Sequence, residues 1–98
     1  MASYTVLANF TDQGVKSLKE TTHRAEAVEA LGRKMGVTVK SIQWAFGSYD
    51  LVCQFEAADD QTIAAFGAAI AMQGNVRTQT IRTFSRDEMN AILLKLPA

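Results

Sequence analysis

Two residues in this chain carry reactive side chains without a duplicate: His23 and Cys53. A histidine offers a haem or metal ligand or a general base, provided that it faces a pocket. In a helix running through Val15 to Met35, His23 falls roughly 160° from the middle of the apolar face at 100° per residue. An exposed and dispensable surface histidine is therefore expected. No second histidine exists to build a histidine-rich zinc site, and the carboxylates are dispersed without ligand spacing, so no metal and no cofactor is expected. Cys53 lies mid-strand on an apolar face. A reactive thiol needs exposure and a neighbouring positive group, so a small buried hydrophobe is the expectation. Neither residue belongs to a Ser/His/Asp or Cys/His/Asp arrangement. The isolated glycines fit neither GxGxxG nor GxxxxGK[ST].

What remains is binding chemistry. Gly47, Tyr49 and Asp50 form a hairpin with two readings. Glycine supplies a positive φ and Asp50 accepts from loop amides, or Asp50 and the loop backbone meet a ligand. Trp44, Phe46, Tyr49 and Phe66 either line a pocket between sheet and helices or are simply core. Arg77 and Arg82 are possible anchors for a ligand carboxylate, or they pair between strands or subunits.

The elements that must position these residues follow from periodicity. Ser3–Phe10 is β-branched and aromatic and reads as a strand. From Val15 to Met35 a helical face runs through Val15, Leu18, Thr22, Ala25, Val28, Gly32 and Met35, with Gly36 as a C-terminal stop. Val37–Phe46 and Tyr49–Ala57 read as a hairpin joined by Gly47-Ser48. Its register opposes Phe46 to Tyr49, Trp44 to Leu51, Ile42 to Cys53 and Lys40 to Phe55 on the face under the helices. Ala45–Asp50, Gln43–Val52 and Ser41–Gln54 pair on the other face. Asp59 or Asp60 caps a helix over Gln61–Gln73 whose core residues are Ile63, Phe66, Gly67 and Ile70. Its remaining surface is alanine, glycine and methionine, so a second cover is expected, from the C-terminal helix or from another dimer. Val76–Phe84 is a fourth strand. Ser85 and Glu88 match a capping box ahead of the stripe Met89, Ile92, Leu93 and Leu96.

The order β-α-β-β-α-β plus a C-terminal helix predicts one α+β, ferredoxin-like domain over residues 1–98, with a four-stranded antiparallel sheet and both helices on one face. The other face, through Ser41, Gln43, Ala45, Val52 and Gln54, is too apolar for open solvent and too polar for a dry core. A homodimer closing two such faces on each other is expected. The bulk numbers agree. Lys plus Arg equals Asp plus Glu, at 10 each. That balance argues against nucleic acid and an anionic membrane as partners. The apolar run from Ile63 to Met72 is shorter than the about 20 residues of a spanning helix. A lone thiol and no leader pattern point to the cytoplasm.

Three blocks, YTVLANFTDQGVKSLKETTHRAEA, FGSYDLV and GNVRTQTIRTF, resemble the GYD-domain family in order and spacing. The hairpin Gly47-Ser48-Tyr49-Asp50 fits that family's Gly-x-Tyr-Asp signature. The resemblance implies a dimeric α/β barrel of the ferredoxin-like group and no agreed reaction. Residues Ile42 to Ile70 are also similar to the ligand-sensing domain of leucine-responsive-type regulators, without their DNA-binding helix-turn-helix. Three functions stay open. The first is a small-molecule binding or sensing homo-oligomer, with Asn9, Trp44, Gly47, Tyr49, Asp50, Arg77 and Arg82 as ligand-binding candidates. The second is a cofactor-independent monooxygenase, for which the resemblance points first to Asn9, Trp44 and Tyr49. The third is a structural assembly subunit.

Overall fold

A computed structural model describes all residues from Met1 to Ala98. Four strands, β1 (Ala2–Phe10), β2 (Thr38–Trp44), β3 (Leu51–Ala57) and β4 (Val76–Thr83), form one sheet in the order β2-β3-β1-β4. Every neighbouring pair is antiparallel. The helices are α1 (Asp12–Lys16), α2 (Thr21–Met35), α3 (Asp60–Met72) and α4 (Arg86–Leu93). This is the α+β, ferredoxin-like arrangement with a C-terminal helix that the periodicity predicts.

Alternation puts Tyr4, Val6 and Ala8 of β1 and Leu51, Cys53, Phe55 and Ala57 of β3 on one buried face. Ile63, Phe66 and Ile70 cover it at helical spacing from α3, and the Phe66 ring meets Phe55 edge-on, with centroids 5.3 Å apart. From α2, Val28, Leu31 and Met35 pack against the same core. Asp59 caps α3 by accepting from the Thr62 amide at 2.9 Å. Ser85 and Glu88 form the expected capping box on α4. Gly36 ends α2 with φ 79°.

Four details differ from the sequence expectation. The first helix is broken: α1 ends at Lys16, a 3₁₀ turn covers Leu18–Glu20, and α2 starts at Thr21. The cause is tertiary. Gly14 lies so close to the turn between α3 and β4 that a Cβ there would clash with the Asn75 carbonyl oxygen. Thr11 and Gln13 tie α1 to that same turn through Asn75, Gly74 and Gln73. A straight helix from Val15 would pull Gly14 away, so Val15 and Leu18 end up exposed and Gly14 buried.

The hairpin register holds from Ser41↔Gln54 to Trp44↔Leu51, but a bulge at Lys40 brings Val39 opposite Phe55. The bulge turns an apolar residue inward in place of a lysine. The connection is also wider than two residues, since the ladder stops at Trp44 and Leu51. Beyond it, one bond from the Ala45 amide to the Asp50 carbonyl (2.8 Å) continues the pairing. Phe46 and Tyr49 therefore leave the helix-covered face. Finally, Ala64, Ala65, Ala68 and Met72 on the outer side of α3 are exposed. Within one chain α4 does not cover them, and Met89, Leu93 and Leu96 are exposed too.

Candidate functional site

The signature hairpin acts as a clasp. Asp50 is tied to β1 twice: its amide donates to the Ala8 carbonyl, and its carboxylate Oδ2 accepts from the Phe10 amide, both at 2.9 Å. An acidic side chain thus finishes the strand pairing where β1 runs past the end of β3. Tyr49 reaches across the sheet, and its hydroxyl donates to Gln79 Oε1 of β4 at 2.8 Å. Gln79 pairs with Leu7, so this bond lies on the face away from the helices. Gly47 has φ 139°, a conformation that a side chain would strain. On the other flank, Trp44 Nε1 donates to Thr21 Oγ1 at the start of α2 (3.0 Å). Phe46, at the tip, is 99% exposed and Trp44 44%.

The remaining candidates do not converge on this hairpin. Asn9 and Arg77 are opposite each other in the β1–β4 register, on the uncovered face. Arg82 pairs with Tyr4 on the covered face, at the far end of the sheet. Its guanidinium lies over the rings of Tyr4 (5.7 Å) and Phe84 (4.4 Å) and reaches Glu88 at 3.4 Å. Tyr4, buried, donates its hydroxyl to Asp60 Oδ1 at 2.6 Å. That bond, reinforced by burial, raises the phenol above its ordinary pKa. The Ser85 amide bond, with help from Arg82, holds the Glu88 carboxyl below the usual range. This cluster anchors the base of α4 to the sheet. His23 projects outward and meets only Glu26, 3.8 Å away, with both side chains mostly exposed.

A cavity of about 80 Å³ lies between the sheet, α2 and α3. Its walls are apolar, among them Val6, Val28, Ile42 and Ile70, and Cys53 forms part of the lining. Burial pushes the Cys53 thiol up to about 11, so it is a neutral wall group rather than a nucleophile at physiological pH. Of the aromatic residues weighed from sequence, Phe66 is wholly buried in the core and Trp44, Phe46 and Tyr49 are absent from the lining. The lining's polar members are Thr21, Arg24, Gln73, Asn75 and Thr78. Sequence reading singled out none of them. Their roles depend on the break before α2 and on the docking of α1 at Asn75, which no local pattern announces.

Comparison with known proteins places these observations. The fold resembles FFRP-DM1, with a TM-score of 0.63 and 17% identity over 86% of this chain and all of that one. It also resembles the C-terminal domain of the MgtC protein from Mycobacterium tuberculosis, with a TM-score of 0.59 and 16% identity over 85% and 88% of the two chains. At these identities the likeness concerns fold alone. A protein of Thermus thermophilus called glutamine synthetase and cystathionine beta-lyase binding protein is 34% identical over 82 residues, covering 83% of this chain and 86% of that one. The GYD domain family model matches residues 4–93, a span that contains the clasp, both edge strands and all of α4, and the chain belongs to the GYD-domain family.

Proposed function

We propose that this chain is a small homodimeric binding protein that regulates an enzyme by docking on it, with the hairpin tip as its main contact. The observation that carries this reading is the combination of exposure and restraint at Phe46. An aromatic side chain fully in water would ordinarily sit on a mobile loop. Here the loop is tied to β1 through Asp50, to β4 through Tyr49 and to α2 through Trp44. A rigid loop loses little freedom on binding, and an aromatic anchor entering a partner's pocket has the character of an interface hot spot. The name of the Thermus relative supports the class of partner, since it gives two enzymes that the relative binds.

Dimerisation belongs to the same reading. The uncovered sheet face carries Leu7, Val52 and Ile81 among threonines and glutamines, and Thr5 Oγ1 donates to Gln54 Oε1 across it at 2.9 Å. Such a face is suited to a wet interface with its own copy. Surface plasmon resonance against glutamine synthetase and cystathionine beta-lyase from the same source tests the docking. Binding to one of them, weakened by at least about tenfold in Phe46→Ala, is expected. Absence of binding to both, or equal binding by the variant, contradicts the reading.

A further inference from the structure

The cavity under α2 has on its lining a cation whose donors the fold uses only in part. Arg24 lines it as a half-buried cation with no carboxylate partner. Its Nη1 donates to the Ser17 carbonyl and the Ser17 hydroxyl, both at 2.9 Å, and its Nη2 to the Gly14 carbonyl at 3.4 Å. These neutral oxygens aim the guanidinium without neutralising it. A guanidinium carries five N–H donors. The Nε proton and one Nη2 proton thus have no partner in the chain.

Helix α2 starts at Thr21, on the cavity lining, with Glu20 at its N-cap making no side-chain cap bond. Away from this end the cavity is apolar, and no buried side-chain polar atom lacks a hydrogen bond. Water inside would find few partners, and a hydrocarbon would displace nothing well held. About 80 Å³ is a little over half of an engineered cavity of about 150 Å³ that accepts benzene.

We propose that this cavity binds a small apolar monocarboxylate, its compact hydrocarbon tail among Val28, Ile42 and Ile70 and its carboxylate on Arg24. The site is separate from the hairpin tip and does not depend on the docking function. It does give that function an input, because Trp44 is bonded to Thr21 on the cavity lining. Occupancy at Thr21 would be felt at the base of the hairpin.

Trp44 is the sole tryptophan, so its fluorescence reports on that contact directly. The test uses 3-methylbutanoate and its uncharged counterpart 3-methylbutanamide, followed by Trp44 emission and by backbone amide shifts of the labelled full chain. Saturable binding of the acid is expected, at least about tenfold tighter than the amide, as a charge-assisted bond predicts. Arg24→Gln should remove that preference while still binding the amide, which also shows that the variant is folded. Arg24→Lys keeps the charge and should keep the preference, a check that holds even if Arg24→Gln does not fold. Ala25→Leu, which fills the cavity, should abolish binding of both probes. The proposal is overturned by equal affinity of wild type for acid and amide, by no saturable response, or by shifts that survive Ala25→Leu.

Discussion

Replacing Asp50 by alanine separates a structural carboxylate from a ligand-binding one. The carboxylate accepts the Phe10 amide in a half-buried setting at 2.9 Å. Truncation leaves that amide without a partner at the end of β1, where the chain turns into α1. A hydrogen bond to a charged acceptor contributes about 1.5–3 kcal/mol, and the orphaned amide puts this case at about 2 kcal/mol. For a domain of this size each kcal/mol moves the melting temperature by about 4–8 °C, so a fall of about 8–16 °C is expected. Asp50→Asn keeps an oxygen acceptor in place and should lose less than half as much. Calorimetric melting of the variants, with urea unfolding as a second measure, reads both numbers. An Asp50→Ala protein melting within about 2 °C of wild type would refute the clasp and return Asp50 to the ligand-binding candidates.

Val52→Asp, on the uncovered sheet face opposite Leu7, should convert the proposed dimer to monomer in sedimentation at micromolar concentration; a wild type already monomeric there would overturn the dimer proposal. His23→Ala should change stability by no more than about 0.5 kcal/mol, as for other solvated positions, measured by urea unfolding. The Cys53 thiol ionises at about 11 in the fold against an ordinary value of 9.0. The unfolded chain therefore releases this proton first, and the contribution of Cys53 is complete below pH 9.0 and lost as pH rises to about 11. Unfolding curves across that window should show a steeper decline for wild type than for Cys53→Ala, and parallel declines would contradict the burial of the thiol.

Much of the fold was legible because a single physical signal governs each element. Alternation in Tyr4, Val6, Ala8 and in Leu51, Cys53, Phe55 sets the covered face of the sheet. Ile63, Phe66 and Ile70 recur at helical spacing, and Ser85 with Glu88 announces a helix start. The misses have a common origin in contacts between distant segments. Val15 and Leu18 continue a helical period that the chain breaks to seat Gly14 against Asn75. Lys40 is displaced by a bulge that strict alternation does not encode. The hairpin motif was visible, but the partners of Tyr49 and Asp50 lie on β4 and β1. No local pattern singles out Arg24, which lines the cavity one turn into α2.

Hydrogen–deuterium exchange of the chain, alone and in complex with whichever of the two enzymes it binds, tests whether the restrained aromatic hairpin docks this protein on an enzyme. Added protection in the complex should concentrate over Trp44 to Asp50, with the outer side of α2 unchanged, and Phe46→Ala should abolish it at the same concentrations. Protection confined to α2 or α4, with the hairpin exchanging as in the free protein, would show that docking does not use the hairpin.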